Sequence, residues 1–166
     1  IVFDGASEVA DAIRIDDTVT GAPVVISGCT VRNYTNRFVY VSLSGKIESL
    51  TIDDCIFIGA DNSTTNKAIY ASSAHTQVET LSVTNSTFLN FNTGSNYFFR
   101  INCGEELVLM PVVLIDHCTF YNCYDRRGVY LYNAGRSTIK NCISAFSERR
   151  DDTKSFTAYG DESIVK

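Results

Sequence analysis

One set of side chains in this sequence is suited to holding a sugar, and another to attacking one. Tyr40, Tyr70, Phe99 and Tyr130 recur at one place in a repeat, with Arg14 at the head of the series. If their flanking residues face inward, these rings face out in a row. A row of aromatic faces suits a linear glycan, because sugar rings pack on them. A flanking loop or neighbouring domain covering the row, or a strand turned over, would remove that function. Arg100 and Arg127 are the catalytic candidates. A β-elimination needs a cationic side chain to take the proton beside a uronate carboxylate, and a Ca²⁺ ion or second cation to neutralise the carboxylate. Arg100 sits where neighbouring repeats place Val41, Ala71 and Leu131. It is therefore either an inward misfit held by an ion pair, or a point where the register slips and the side chain emerges. Arg126-Arg127 also suits a solvated loop.

Other chemistries are poorly served. Asp53 and Asp116 share an outward column with Thr84 between them. Two coil steps separate their backbones by about 10 Å, wide even for an inverting glycosidase. Asp116-His117 resembles an acid–base pair, but adjacent strand residues point apart. Six cysteines and two distant histidines, His75 and His117, contain no CxxC, so no metal site is expected.

The positioning elements follow from internal repetition. Val25-Ile-Ser-Gly-Cys-Thr-Val31, Thr51-Ile-Asp-Asp-Cys-Ile-Phe57, Ser82-Val-Thr-Asn-Ser-Thr-Phe88, Leu114-Ile-Asp-His-Cys-Thr-Phe120 and Thr138-Ile-Lys-Asn-Cys-Ile-Ser144 are versions of one phrase. Its Cys/Ser slot falls at 29, 55, 86, 118 and 142, at intervals of 26, 31, 32 and 24 residues. A second ladder, Ile13-Arg-Ile15, Val39-Tyr-Val41, Ile69-Tyr-Ala71, Phe98-Phe-Arg100 and Val129-Tyr-Leu131, keeps nearly the same period. Within each repeat apolar and polar residues alternate, as strands require. Val24, Ile26, Leu50 and Ile52 are expected inside, as are Val31, Phe57, Phe88 and Phe120. Gly28, Asp54, Asn85, His117 and Asn141 fall where the chain must bend. The slot that accepts Cys or Ser selects for a small residue, which predicts buried free thiols over inter-coil disulfides.

Stacked coils of this kind make an all-β parallel β-helix of about five coils, one domain over residues 1–166. Ile1-Val-Phe-Asp-Gly5 reads as the end of an earlier coil, and Ser155-Phe-Thr-Ala-Tyr-Gly-Asp161 as the start of a later one. A piece of a longer protein with further domains is expected, since uncapped coils expose pairing edges. Polar segments 61–67, 92–96 and 103–106 read as loops. The net charge of −5, with no run of Lys or Arg, argues against nucleic acid. No apolar stretch is long enough to span a membrane.

Residues 115–122 and 138–142 resemble the pectate-lyase-like right-handed β-helix superfamily, most nearly the uncharacterised β-helix domains of secreted bacterial proteins. The resemblance covers about residues 12–146 and is carried by structural columns. It implies an extracellular or cell-surface setting and a polysaccharide partner, with acidic glycans included. The sequence lacks the Gly-His-Gly and Arg-x-Lys of polygalacturonases. The favoured expectation is a noncatalytic polysaccharide-binding module without a cofactor. The alternatives are a uronate lyase, with Ca²⁺ as its ion, and a structural spacer.

Overall fold

The protein is described from a computed structural model, covering residues 1–59, 67–73, 77–91, 98–103, 112–123, 129–132, 136–145, 156–159 and 162–165. The chain enters with β1 (Val2–Asp4). It then winds through β2 (Asp11–Ile15), β3 (Pro23–Ser27), β4 (Thr30–Arg32), β5 (Arg37–Val41), β6 (Ile47–Asp53) and β7 (Ile56–Ile58). Further along come β8 (Lys67–Ser73), β9 (Val78–Thr84), β10 (Thr87–Leu89), β11 (Phe99–Cys103), β12 (Val112–Asp116) and β13 (Thr119–Tyr121). The last strands are β14 (Val129–Tyr132), β15 (Arg136–Lys140), β16 (Ile143–Ala145), β17 (Phe156–Tyr159) and β18 (Glu162–Val165).

Every third strand joins the same sheet. Sheet A holds β1, β4, β7, β10, β13 and β16; sheet B holds β2, β5, β8, β11, β14 and β17; sheet C holds β3, β6, β9, β12, β15 and β18. All pairings are parallel, so like residues stack on like residues about 4.8 Å apart. This is a three-sided parallel β-solenoid, which bears out the all-β, parallel β-helix class, with six strands stacked in each sheet rather than five. The first short strand lies in sheet A and β17 lies in sheet B.

The corners explain the repeat. Between sheets C and A the chain turns through one left-handed residue: Gly28, Asp54, Asn85, His117 or Asn141, with φ of 62°, 51°, 50°, 52° and 52°. Glycine enters this region freely, and Asn, Asp and His do so more often than other residues. The next residue is the Cys/Ser slot, and here the structure adds to the size argument. Cys29, Cys55, Cys118 and Cys142 each donate from Sγ to the carbonyl two residues back, at 3.2, 3.2, 3.4 and 3.1 Å. Ser86 Oγ donates to the equivalent Thr84 carbonyl at 2.8 Å. The slot takes a small donor rather than merely a small residue. Its described cysteines are free thiols. After sheet A the chain bends again at Asn33, Asn90 and Asn122, all with positive φ. Gly59 holds the same corner, where an added Cβ would lie 2.4 Å from the Asn90 carbonyl oxygen.

The core is a set of columns. Leu50, Leu81, Val113 and Ser137 stack along sheet C beside Ile26, Ile52, Val83, Ile115 and Ile139. Sheet A contributes Val31, Phe57, Phe88 and Phe120, all buried as expected. Ser137 departs from its column: it is buried, and its hydroxyl has no hydrogen-bond partner among the described residues. A buried unsatisfied hydroxyl costs about 1–3 kcal/mol. Ser137→Ala is therefore expected to raise the unfolding free energy by about 1 kcal/mol in urea titrations, with the m-value unchanged.

Candidate functional site

Sheet B carries the expected aromatic ladder, with one correction. The register pairs Ile13, Val39, Ile69, Phe99 and Val129 in one column and Arg14, Tyr40, Tyr70, Arg100 and Tyr130 in the next. Phe99 is fully buried, its ring 6.4 Å from that of Phe88, and it is no surface ligand. Arg100 takes the outward place expected of Phe99, while Ile101 fills the inward place beside Ala71 and Leu131. The slip of one residue turns the arginine outward and spares the core an ion. A one-residue shift reverses every side chain in a strand, so burial decides the frame.

The outer face is a lattice of rings and cations. The Tyr40 and Tyr70 centroids lie 6.0 Å apart. Arg37 lies over the Tyr40 ring with Cζ 3.5 Å from the centroid, and Arg14 Cζ is 5.5 Å away. Tyr70 has Lys67 Nζ at 5.5 Å and Arg100 Cζ at 5.8 Å; Arg100 is also 5.9 Å from the Tyr130 ring. A cation over a ring contributes about 0.5–1 kcal/mol at an exposed site and fixes where the charge sits. Arg37 is further held by both Asp11 oxygens at 2.7 Å. Partial burial is the largest single influence and opposes its charge, but the hydrogen bonds and charge of Asp11, together with Tyr40, outweigh it and hold its pKa above the ordinary value.

Tyr40 and Tyr70 are half-buried, whereas Tyr130 is only 7% exposed. The ladder is thus open at its first two tyrosines and covered at the third. Arg37 and Lys67 escape a reading based on strict alternation, which would turn them inward with Val39 and Ile69. Both face out because the strand starts irregularly, with Phe38 and Val39, and then Ala68 and Ile69, buried in succession. The signal available in the sequence is a repeated spacing, Arg37-x-x-Tyr40 and Lys67-x-x-Tyr70.

An open groove of about 630 Å³ adjoins this face, lined by Arg14, Asp16, Asp17, Thr18, Ser42, Leu43 and Ser44. Asp17 accepts hydrogen bonds from Ser44 N and Oγ at 2.7 and 2.6 Å. Asp16 accepts from the Thr18 hydroxyl and amide, which hold its carboxyl below the usual range.

At the C–A corner, Asp53, Thr84, Asp116 and Lys140 form the expected outward column. Each carboxylate clips the corner of the next coil: Asn85 Nδ2 donates to Asp53 and Asn141 Nδ2 to Asp116, both at 2.9 Å. The expectation that Asp116 and His117 point apart is overturned. His117 Nδ1 lies 2.8 Å from Asp116 Oδ1, because the left-handed backbone at His117 swings the imidazole back. Asp116 also faces Lys140 Nζ at 3.3 Å, so its carboxylate is occupied structurally.

Arg126, Arg127 and His75 lie outside the described residues, as does the Cys103 side chain. Among the described residues, no three His, Cys, Asp or Glu side chains converge so as to hold a metal ion. No described helix is long and apolar enough to cross a membrane.

A family model described as a domain of unknown function (DUF4957) matches residues 1–91. That span takes in Arg14, Arg37, Tyr40, Lys67 and Tyr70 but neither Arg100 nor Tyr130. No curated protein and no solved structure matches the chain.

Proposed function

We propose, on the premise that the chain belongs to the DUF4957 family of domains of unknown function, that it is a noncatalytic polysaccharide-contacting module. In this reading it works outside a bacterial cell or on its surface, and an acidic glycan runs along the outer face of sheet B. The observation that carries the reading is the Tyr40–Tyr70 pair with two cations on each ring. Tyrosine faces receive the apolar side of a sugar ring, and cations held at one-coil intervals receive carboxylates. The strip gathers Arg14, Arg37, Lys67 and Arg100 against Asp11 in a chain whose net charge is −5, so its positive charge is local. Arg100 on this same face is the observation that favours a uronate lyase as the second reading, with the arginine as base. The near-complete burial of Tyr130 favours the spacer reading at that end of the ladder.

The deciding measurement is titration calorimetry against acidic and neutral glycans. Tyr70→Ala and Arg100→Ala are each expected to weaken acidic-glycan binding about tenfold, equivalent to about 1.4 kcal/mol. Tyr121→Ala, on the outer face of sheet A and 43% exposed, serves as the control and is expected to leave binding unchanged. Equal loss in all three variants, or no binding by the wild type, rejects the face. Ultraviolet absorbance from unsaturated sugar ends would replace the binding module with a lyase.

A further inference from the structure

The corner column contains two cysteine pairs separated by a serine: Cys29 and Cys55, then Ser86, then Cys118 and Cys142. The pairs are not equivalent. Cys29 and Cys55 are both buried, and burial pushes the Cys55 thiol up. Cys118 is buried as well, but Cys142 is partly exposed at the last such corner. We infer that Cys118 and Cys142 are a redox-active pair that closes a disulfide between successive coils by exchange with a small disulfide such as oxidised glutathione.

Geometry supports the closure. The two residues hold the same slot, and Ile143 N donates to the Cys118 carbonyl at 2.9 Å, so the coils are paired at that point. Thr119 and Ile143, the following residues, are register partners. Parallel partners lie about 4.8 Å apart at Cα, within the 4.4–6.8 Å that a disulfide spans. The roles divide by environment. The neighbouring Cys118 thiol holds the Cys142 pKa down to about 7, against the opposing effect of burial. Its neighbour Cys142 and burial push the Cys118 thiol up. Cys142 is thus the attacking thiol and Cys118 the resolving one.

The exchange balances without further reagents. The Cys142 thiolate attacks one sulfur of oxidised glutathione, breaking its S–S bond, forming a mixed disulfide and releasing one glutathione thiolate. That thiolate takes the Cys118 proton. Cys118 Sγ then attacks Cys142 Sγ and expels the second glutathione thiolate, which is protonated from water. Two protein thiols are oxidised and one glutathione disulfide becomes two thiols.

The test incubates the whole chain with oxidised glutathione, quenches with acid, alkylates the remaining thiols in denaturant and maps the peptides by mass. The expected result is a loss of two alkylatable thiols of the six, with Cys118 joined to Cys142. Cys142→Ser is expected to abolish that loss. Cys118→Ser is expected to stop the reaction at a mixed disulfide on Cys142, and it folds because Ser86 already fills the equivalent slot. Six retained thiols, a mixed disulfide persisting in the wild type, or Cys142 joined to Cys103 or Cys123 would each overturn the assignment.

Discussion

Phe88→Ala is expected to lower the unfolding free energy by about 4 kcal/mol, the largest loss from one described side chain. Phe88 is fully buried and lies between Phe57 and Phe120, with centroids 5.1 Å away on either side and interplanar angles of 9° and 12°. It also meets Phe91 at 6.5 Å and Phe99 at 6.4 Å. The strands on both sides are locked by backbone pairing, so the neighbours cannot close over the space left behind. Phe88→Leu keeps most of the volume and is expected to cost less than half as much. In urea, the alanine variant should also broaden the transition, because a solenoid is held by nearest-neighbour contacts and the lesion divides it in the middle. A loss below about 1 kcal/mol would show that the phenylalanine column does not hold the coils together. Through Phe99 the same lesion reaches β11, which carries Arg100, so glycan binding should weaken in parallel.

The fold was legible because its determinants are periodic. Each corner needs one residue tolerant of positive φ followed by one small donor, and both appear in the chain at every turn from Gly28-Cys29 to Asn141-Cys142. The inward columns follow from alternation, and Phe57, Phe88 and Phe120 announce their own stacking. The face of sheet B was less legible. Phe98-Phe99-Arg100-Ile101 offers two frames that both place an aromatic inward, and the choice depends on the cost of burying a guanidinium, which alternation does not weigh. Arg37 and Lys67 were missed because two successive buried residues break the period of two at the start of β5 and β8. The contact between Asp116 and His117 was missed for a related reason: strand geometry was applied to a residue that is already the corner. In each case the difference falls where a strand begins or ends.

Asn85→Val is expected to destabilise the protein by about 2 kcal/mol, while Asn85→Gly costs less than about 1 kcal/mol. The pair separates backbone strain from side-chain bonding at the corner. Asn85 has φ of 50°, a region that a β-branched residue enters only at high cost, and glycine enters it freely. Both substitutions remove the Nδ2 donor to Asp53, so the difference between them measures the backbone alone. The remaining gap between wild type and Asn85→Gly measures the clip, and it should depend on pH. Hydrogen bonds from Thr84 and Asn85 hold the Asp53 carboxyl below its ordinary range. A depressed carboxylate stabilises the fold above the unfolded-state value and loses that contribution as pH falls through the folded-state value. The wild-type advantage over Asn85→Gly should therefore be full at neutral pH and shrink in acid, whereas the Val–Gly difference should stay constant. Equal costs for Val and Gly would mean that the corner is held by the amide and that the left-handed backbone is incidental. A cost confined to Val would mean the reverse, and would explain why the slot admits Gly28 and His117, neither of which can donate a carboxamide N–H, as readily as asparagine.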